Sequence, residues 1–203
     1  MEREAARRLR AEGYTLAAIA AQAGVSPTTV GVWCRGIVPQ PGRGARDTQR
    51  RHREAAQSER ERGRWEALEL VGDSLWVAGT TMYWGEGSKT GDLRLSNTDP
   101  AAIRLFVDWV EGFHDPNAAF AVALHLHDGD DEATARAFWR HVVGRPVDFI
   151  KTYWKPTGTG HRRKVLPHGI CTARVRASGL MLHRTLGWIE GLSIALPLRG
   201  AGP

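Results

Sequence analysis

A chain of 203 residues has room for one full domain and a small second one, and 42% apolar against 25% charged residues is the composition of a folded globular protein, not a disordered one. No apolar run approaches the roughly 18–20 residues that a membrane span needs, and the charged start Met1–Arg10 has no apolar segment behind it, so a cytoplasmic protein without a membrane partner is expected. The net charge of +6 lies wholly in the first third: residues 1–37 carry five arginines against three acids, residues 38–64 eight against four, and the remainder balances at 15 and 15. A basic arm of this kind suits a polyanion, from which it releases counterions. Cys34 and Cys171 lack metal spacing and are too few for a disulfide framework, so both are expected to be reduced.

Residues 1–37 read as a compact helical domain. Thr15 is placed to cap a helix carrying Leu16, Ile19 and Ala20, the last small enough for a second helix to cross closely above it. Gly24 stands where a tight turn needs a left-handed residue, and Ser26-Pro27 supplies a cap and a first-turn proline for a new helix that turns Val30 and Trp33 inward. This pattern over about 20 residues resembles the helix-turn-helix of DNA-binding proteins. The resemblance implies that the second helix enters the major groove. Thr28, Thr29 and Val32 would then meet base edges or methyl groups, with Ser26 and Arg35 near phosphates. No arginine or asparagine fork stands among them, so one such unit alone would discriminate sequences poorly.

Val38-Pro39-Gln40-Pro41-Gly42 breaks the pattern, and residues 38–64 form an arginine-rich linker, flexible or helical. A second domain, 65–203, follows. Helical periodicity marks Trp65–Trp84, Pro100–Phe113, Asp131–Val143 and Gly179–Leu192; alternating runs at Asp92–Asn97, Phe120–His127, Phe149–Lys155 and Gly169–Arg176 read as strands. The class is α+β, with a mainly antiparallel, hairpin-rich sheet packed on helices.

If the aliphatic side chains of those strands face the helices, the opposite face presents Arg94 and Ser96, His125 and His127, Lys151, Tyr153 and Lys155, and Thr172, Arg174 and Arg176. All five formal charges there are positive and no carboxylate is among them, which suggests a second nucleic-acid surface. Lys151 and Lys155 on one side and His161, Arg162, Arg163 and Lys164 on the other bracket a Gly-rich turn able to follow a backbone. His125 and His127 with Asp128, Asp130 and Asp131 form a candidate metal cluster, against which Asp130 or Asp131 also reads as the cap of the next helix.

At Met82-Tyr83-Trp84-Gly85-Glu86-Gly87-Ser88 an apolar helix ends in a Gly-Glu-Gly-Ser turn, which resembles the signature of LAGLIDADG homing endonucleases. The resemblance spans roughly residues 66–192. It implies that two such helices pack through small residues, here Thr81 and Gly85, that Glu86 is the catalytic acid and holds a magnesium ion, and that a sheet saddle grips duplex DNA. Trp84 stands where the family often has aspartate, Thr80-Thr81 replaces a small-glycine pair, and the helix Asp131–Val143 is an addition. With one motif per chain, cleavage would require a homodimer. The residues beside the motif read equally as a helix C-cap and turn, and a bacterial sporulation-regulator family combines this fold with a helix-turn-helix without cleavage.

Taken together the sequence leads to a homodimeric, double-stranded-DNA-binding protein. It is read as a transcriptional regulator that needs no cofactor and uses the LAGLIDADG-like domain for binding or dimerisation. A magnesium-dependent endonuclease using Glu86, or the targeting subunit of a recombinase or mobile element, is the alternative.

Overall fold

Short polar side chains decide where the first helices begin. The computed structural model describes residues 3–40, 43–156 and 166–195 and divides into two compact units, Met1–Ala55 and Ala56–Pro203. In the first, α1 (Arg3–Ala11), α2 (Leu16–Ala23) and α3 (Pro27–Trp33) enclose Ala6, Ile19, Ala20, Val30 and Cys34. The Thr15 hydroxyl accepts from the Ala18 N–H at 3.1 Å to start α2, and Ser26 accepts from the Thr29 N–H at 3.1 Å to start α3. Gly24 closes α2 at φ +69°, a conformation that side chains bearing a Cβ adopt only with strain. Arg7 Nη1 donates to the Trp33 carbonyl at 2.5 Å and ties α1 to the end of α3.

The arginine-rich segment is helical: α4 runs Arg43–Leu70, and the division between the units falls within it. From Arg60 onward it belongs to the second unit's packing. Arg60 Nε donates to Glu190 at 2.7 Å and Arg64 Nε to the same carboxylate at 2.5 Å, while Glu66 accepts from Arg184 and from Trp188 Nε1. Glycines permit this approach: a Cβ at Gly63 would overlap the Arg184 carbonyl oxygen, and one at Gly187 the Arg60 carbonyl oxygen. Helices that meet backbone to backbone gain dispersion contacts that larger side chains would hold apart.

The apolar stretch read as one helix over Trp65–Trp84 is instead two. Chain direction changes at Val71-Gly72-Asp73, where the Asp73 carboxylate accepts from the Trp76 N–H at 2.9 Å and starts α5 (Ser74–Glu86). Then come β1 (Arg94–Asn97), α6 (Pro100–Phe113), β2 (Phe120–His127), α7 (Glu132–Val143), β3 (Val147–Lys155), β4 (Ile170–Val175) and α8 (Gly179–Ala195). Asn97 folds the chain into a turn by accepting from Thr98 and Asp99, and Asp99 then caps α6.

The class is α+β, as expected. Hairpin pairing is not what builds the sheet, however. Its order is β1-β4-β2-β3, with β1 and β2 antiparallel to β4 but β2 parallel to β3. The intervening α7 forces this: a helix between two strands returns the chain to the end where it began. Phe120, Val122, Leu124 and Leu126 of β2 pack towards the helices, among Trp76, Tyr83, Phe106, Trp109, Trp139 and Trp188. Ala121 and Ala123 alternate onto the other face.

Candidate nucleic-acid interfaces

On α3 the side chains divide cleanly. Val30 is fully buried and Trp33 half-buried, whereas Thr28 and Val32, four residues apart, are exposed, Val32 to 53%; Arg35, in the turn that follows α3, is exposed as well. A spacing of four puts Thr28 and Val32 on one side of the helix, away from the core. Ser26 is exposed but committed as the cap, and the Thr29 hydroxyl shares a 2.9 Å hydrogen bond with it. Thr29 thereby stabilises the cap. That leaves Thr28 and Val32 as the exposed side chains of this side of α3 whose hydroxyl and methyl groups are not tied up in the cap.

The arginines of α4 are not uniformly available. Arg60 and Arg64 are bound to Glu190, and Arg62 pairs with Glu66 at 2.9 Å. Burial works to raise the Glu66 carboxyl, but hydrogen bonds from Arg184, Trp188 and Arg62 outweigh it and hold the group below the usual carboxylate range. Arg46, Arg51 and Arg53 are exposed.

The far face of the sheet is open, and the side chains expected there are on it. Arg94 pairs in register with Arg174 and Ser96 with Thr172; His125 pairs with Tyr153 and His127 with Lys155. The charge of this face differs from the expectation that no carboxylate lies on it. Because β3 begins at Val147, Asp148 lies opposite Ala121 and binds Arg176 at 2.6 Å, and Asp92, just before β1, binds Arg174 at 2.7 Å. The face therefore contains carboxylates at its margin, and Arg174 and Arg176 are partly neutralised. Among the described residues no carboxylate is paired with Arg94, Lys151 or Lys155. Arg162, Arg163 and Lys164 lie outside the described residues.

The sequence did not disclose an irregularity in β3. Between Val122 and Ala123 of β2 the register slips, so that Ile150 has no partner and Lys151 faces Ala123. Such a bulge redirects the side chains around it. Ile150, 48% exposed, joins Arg94, Ser96, Ala123, His125, Tyr153, Thr172 and Arg174 around a recess of about 330 Å³.

At the end of α5, Glu86 is exposed, and the turn after it is held by its neighbours. The Tyr83 hydroxyl donates to the Ser88 carbonyl, and Lys89 Nζ donates to the carbonyls of Tyr83 at 2.9 Å and Gly87 at 2.6 Å. A Cβ on Gly87 would overlap the Tyr83 ring, which accounts for that glycine without catalysis. One chain thus offers a single carboxylate, with the Lys89 ammonium in electrostatic reach; this is not a set of donors that fits magnesium, and no hydrolytic step follows from it. Ser74, Ala78, Thr81 and Gly85 leave an exposed side of α5 lined by small residues.

In the histidine-aspartate segment two of the carboxylates serve the backbone. Asp130 accepts from the His127 N–H at 2.7 Å, and Asp131 caps α7 through Ala133 and Thr134. Among the described residues no group of three or more histidine, cysteine or acidic side chains gathers. Cys34 and Cys171 are both free and buried. Among those same residues no helix is long and apolar enough to cross a membrane. Comparison with family models, curated proteins and solved structures finds no match to this chain.

Proposed function

We propose that this protein is a sequence-specific regulator of transcription that binds double-stranded DNA through α3. The observation that carries the reading is the arrangement of the first unit. Two capped helices joined through a left-handed Gly24 share a core of Ile19, Ala20 and Val30, with Thr28, Val32 and Arg35 exposed. A helix presented in this way fits the width of the major groove. The exposed cations Arg94, Lys151 and Lys155 support a second phosphate-facing surface on the sheet. The small residues along α5 support pairing with a second copy, since backbones approach closely only where side chains are small. Two copies would supply the discrimination that Thr28 and Val32 alone lack.

Duplexes selected by the full chain from random sequence test the reading. The protein should retain a defined site and, with magnesium, leave it intact. Double-strand cleavage by the wild type that disappears in Glu86→Gln would replace the regulator by a nuclease, because loss of one carboxylate charge removes a metal ligand while keeping the side chain's size.

A further inference from the structure

The recess on the open sheet face has a composition that duplex binding alone does not account for. Its floor is made of small side chains, Ala123, Ser96 and Thr172, the last two joined by a 2.8 Å hydrogen bond. One wall is cationic, formed by Arg94 and Arg174, and the other is aromatic, formed by His125 and Tyr153. Those two rings lie 4.7 Å apart and within 14° of parallel. Tyr153 is 41% exposed, and Lys151 Nζ stands 4.5 Å from its ring centre. Burial, with Lys155 close by, keeps His125 below the ordinary histidine range, so its ring offers an uncharged face near neutral pH.

We propose that this recess holds one unpaired nucleotide of a DNA strand, its base against the His125–Tyr153 pair and Ile150 and its phosphate at Arg94. The inference rests on the DNA-binding reading above and names what the sheet recognises. Within a continuous duplex each base face is covered by its stacked neighbours, so rings standing on a sheet have no partner there. An unpaired base exposes its face, and aromatic side chains beside cations hold such bases with little regard to sequence. A recess of about 330 Å³ is within the range of small-ligand sites and has room for one nucleotide. The positive wall excludes an uncharged aromatic ligand as the better fit, because Arg94 would be left without an anion.

The experiment compares the full chain on three probes: the selected duplex, the same duplex with a short single-stranded gap, and a free nucleoside monophosphate as competitor. The gapped duplex should bind about tenfold more tightly than the continuous one. That ratio should fall to about one in Tyr153→Ala, which removes the stacking ring, and in Ser96→Trp, which fills the recess from the exposed edge strand; thermal melting confirms that each variant is folded. The monophosphate, at the same nucleotide concentration, should not displace the gapped probe. Equal affinity of the wild type for the two duplexes, a gap preference that survives Ser96→Trp, or displacement by the monophosphate would overturn the inference while leaving duplex recognition in place. Failure to bind any DNA would remove the functional reading itself.

Discussion

In the first unit the helix boundaries are set by neighbours: Thr15 caps through Ala18 and Ser26 through Thr29, each three residues away. In the second unit the decisive contacts are distant, with Arg60 reaching Glu190 across 130 positions and Arg184 reaching Glu66 across 118. Local devices leave a signature in sequence because cap, turn and periodicity occupy one short window. Distant ones leave none until the chain is folded. The exposed side of α3 rests on the first kind of order, and the recess of the sheet on the second.

The largest expected effect lies where the distant order is tightest. Helix propensity alone would make Gly187→Ala stabilising by about 1 kcal/mol. The added methyl, however, overlaps the Arg60 backbone, so the variant should lose about 3 kcal/mol in urea unfolding. A gain in stability would show that α4 and α8 are not held this closely.

Acid should weaken the second unit next. Burial, assisted by the Arg184 guanidinium and opposed by Glu66, brings His114 down to about 3, whereas an unfolded histidine titrates near 6.5. Between those values the unfolded chain takes up a proton that the folded one refuses. Stability is therefore full above about pH 6.5 and declines as pH falls, by up to about 1.4 kcal/mol per unit from this group. Glu66 acts in the same direction at lower pH, because its depressed carboxyl stabilises the fold only while ionised. Urea midpoints at neutral and mildly acidic pH should separate, and His114→Phe should flatten the dependence between them. A wild-type midpoint that ignores pH would contradict the buried neutral imidazole.

A smaller effect belongs to the first unit. Ser26→Ala removes the cap of α3 and the partner of the Thr29 hydroxyl, which should cost about 1 kcal/mol. Hydrogen exchange of amides in α2 and α3 would register this loss. Unchanged protection there would mean that the cap does not hold the helix.

How much could be read in advance follows the same division. Pro100–Phe113 and Phe120–His127 were recognisable to the residue, since Asp99-Pro100 marks one start and strict alternation the other. The break at Gly72-Asp73 carried a signal, a glycine followed by a capping aspartate, but the apolar residues on both sides concealed it. The parallel pairing of β2 and β3 was implicit in the helix between them. The bulge at Ile150, the His125–Tyr153 stack, the Asp92 and Asp148 ion pairs and the Gly63–Gly187 approach were not legible, because each depends on register or on contact between distant segments. On α3, Thr28 and Val32 face outward as periodicity requires, while the bond from Thr29 to Ser26 depends on the rotamers that the fold selects.

The most direct test of the central claim is the affinity of the full chain for its selected duplex as salt is raised from 50 to 200 mM, with wild type and the double variant Thr28→Ala, Val32→Ala compared. Affinity should fall by about a hundredfold or more over that range, the response of roughly four phosphate contacts. The variant should lose about 1–3 kcal/mol on the selected site and almost nothing on random duplex. Affinity indifferent to salt, or an equal loss on selected and random DNA, would contradict a protein that reads DNA through α3.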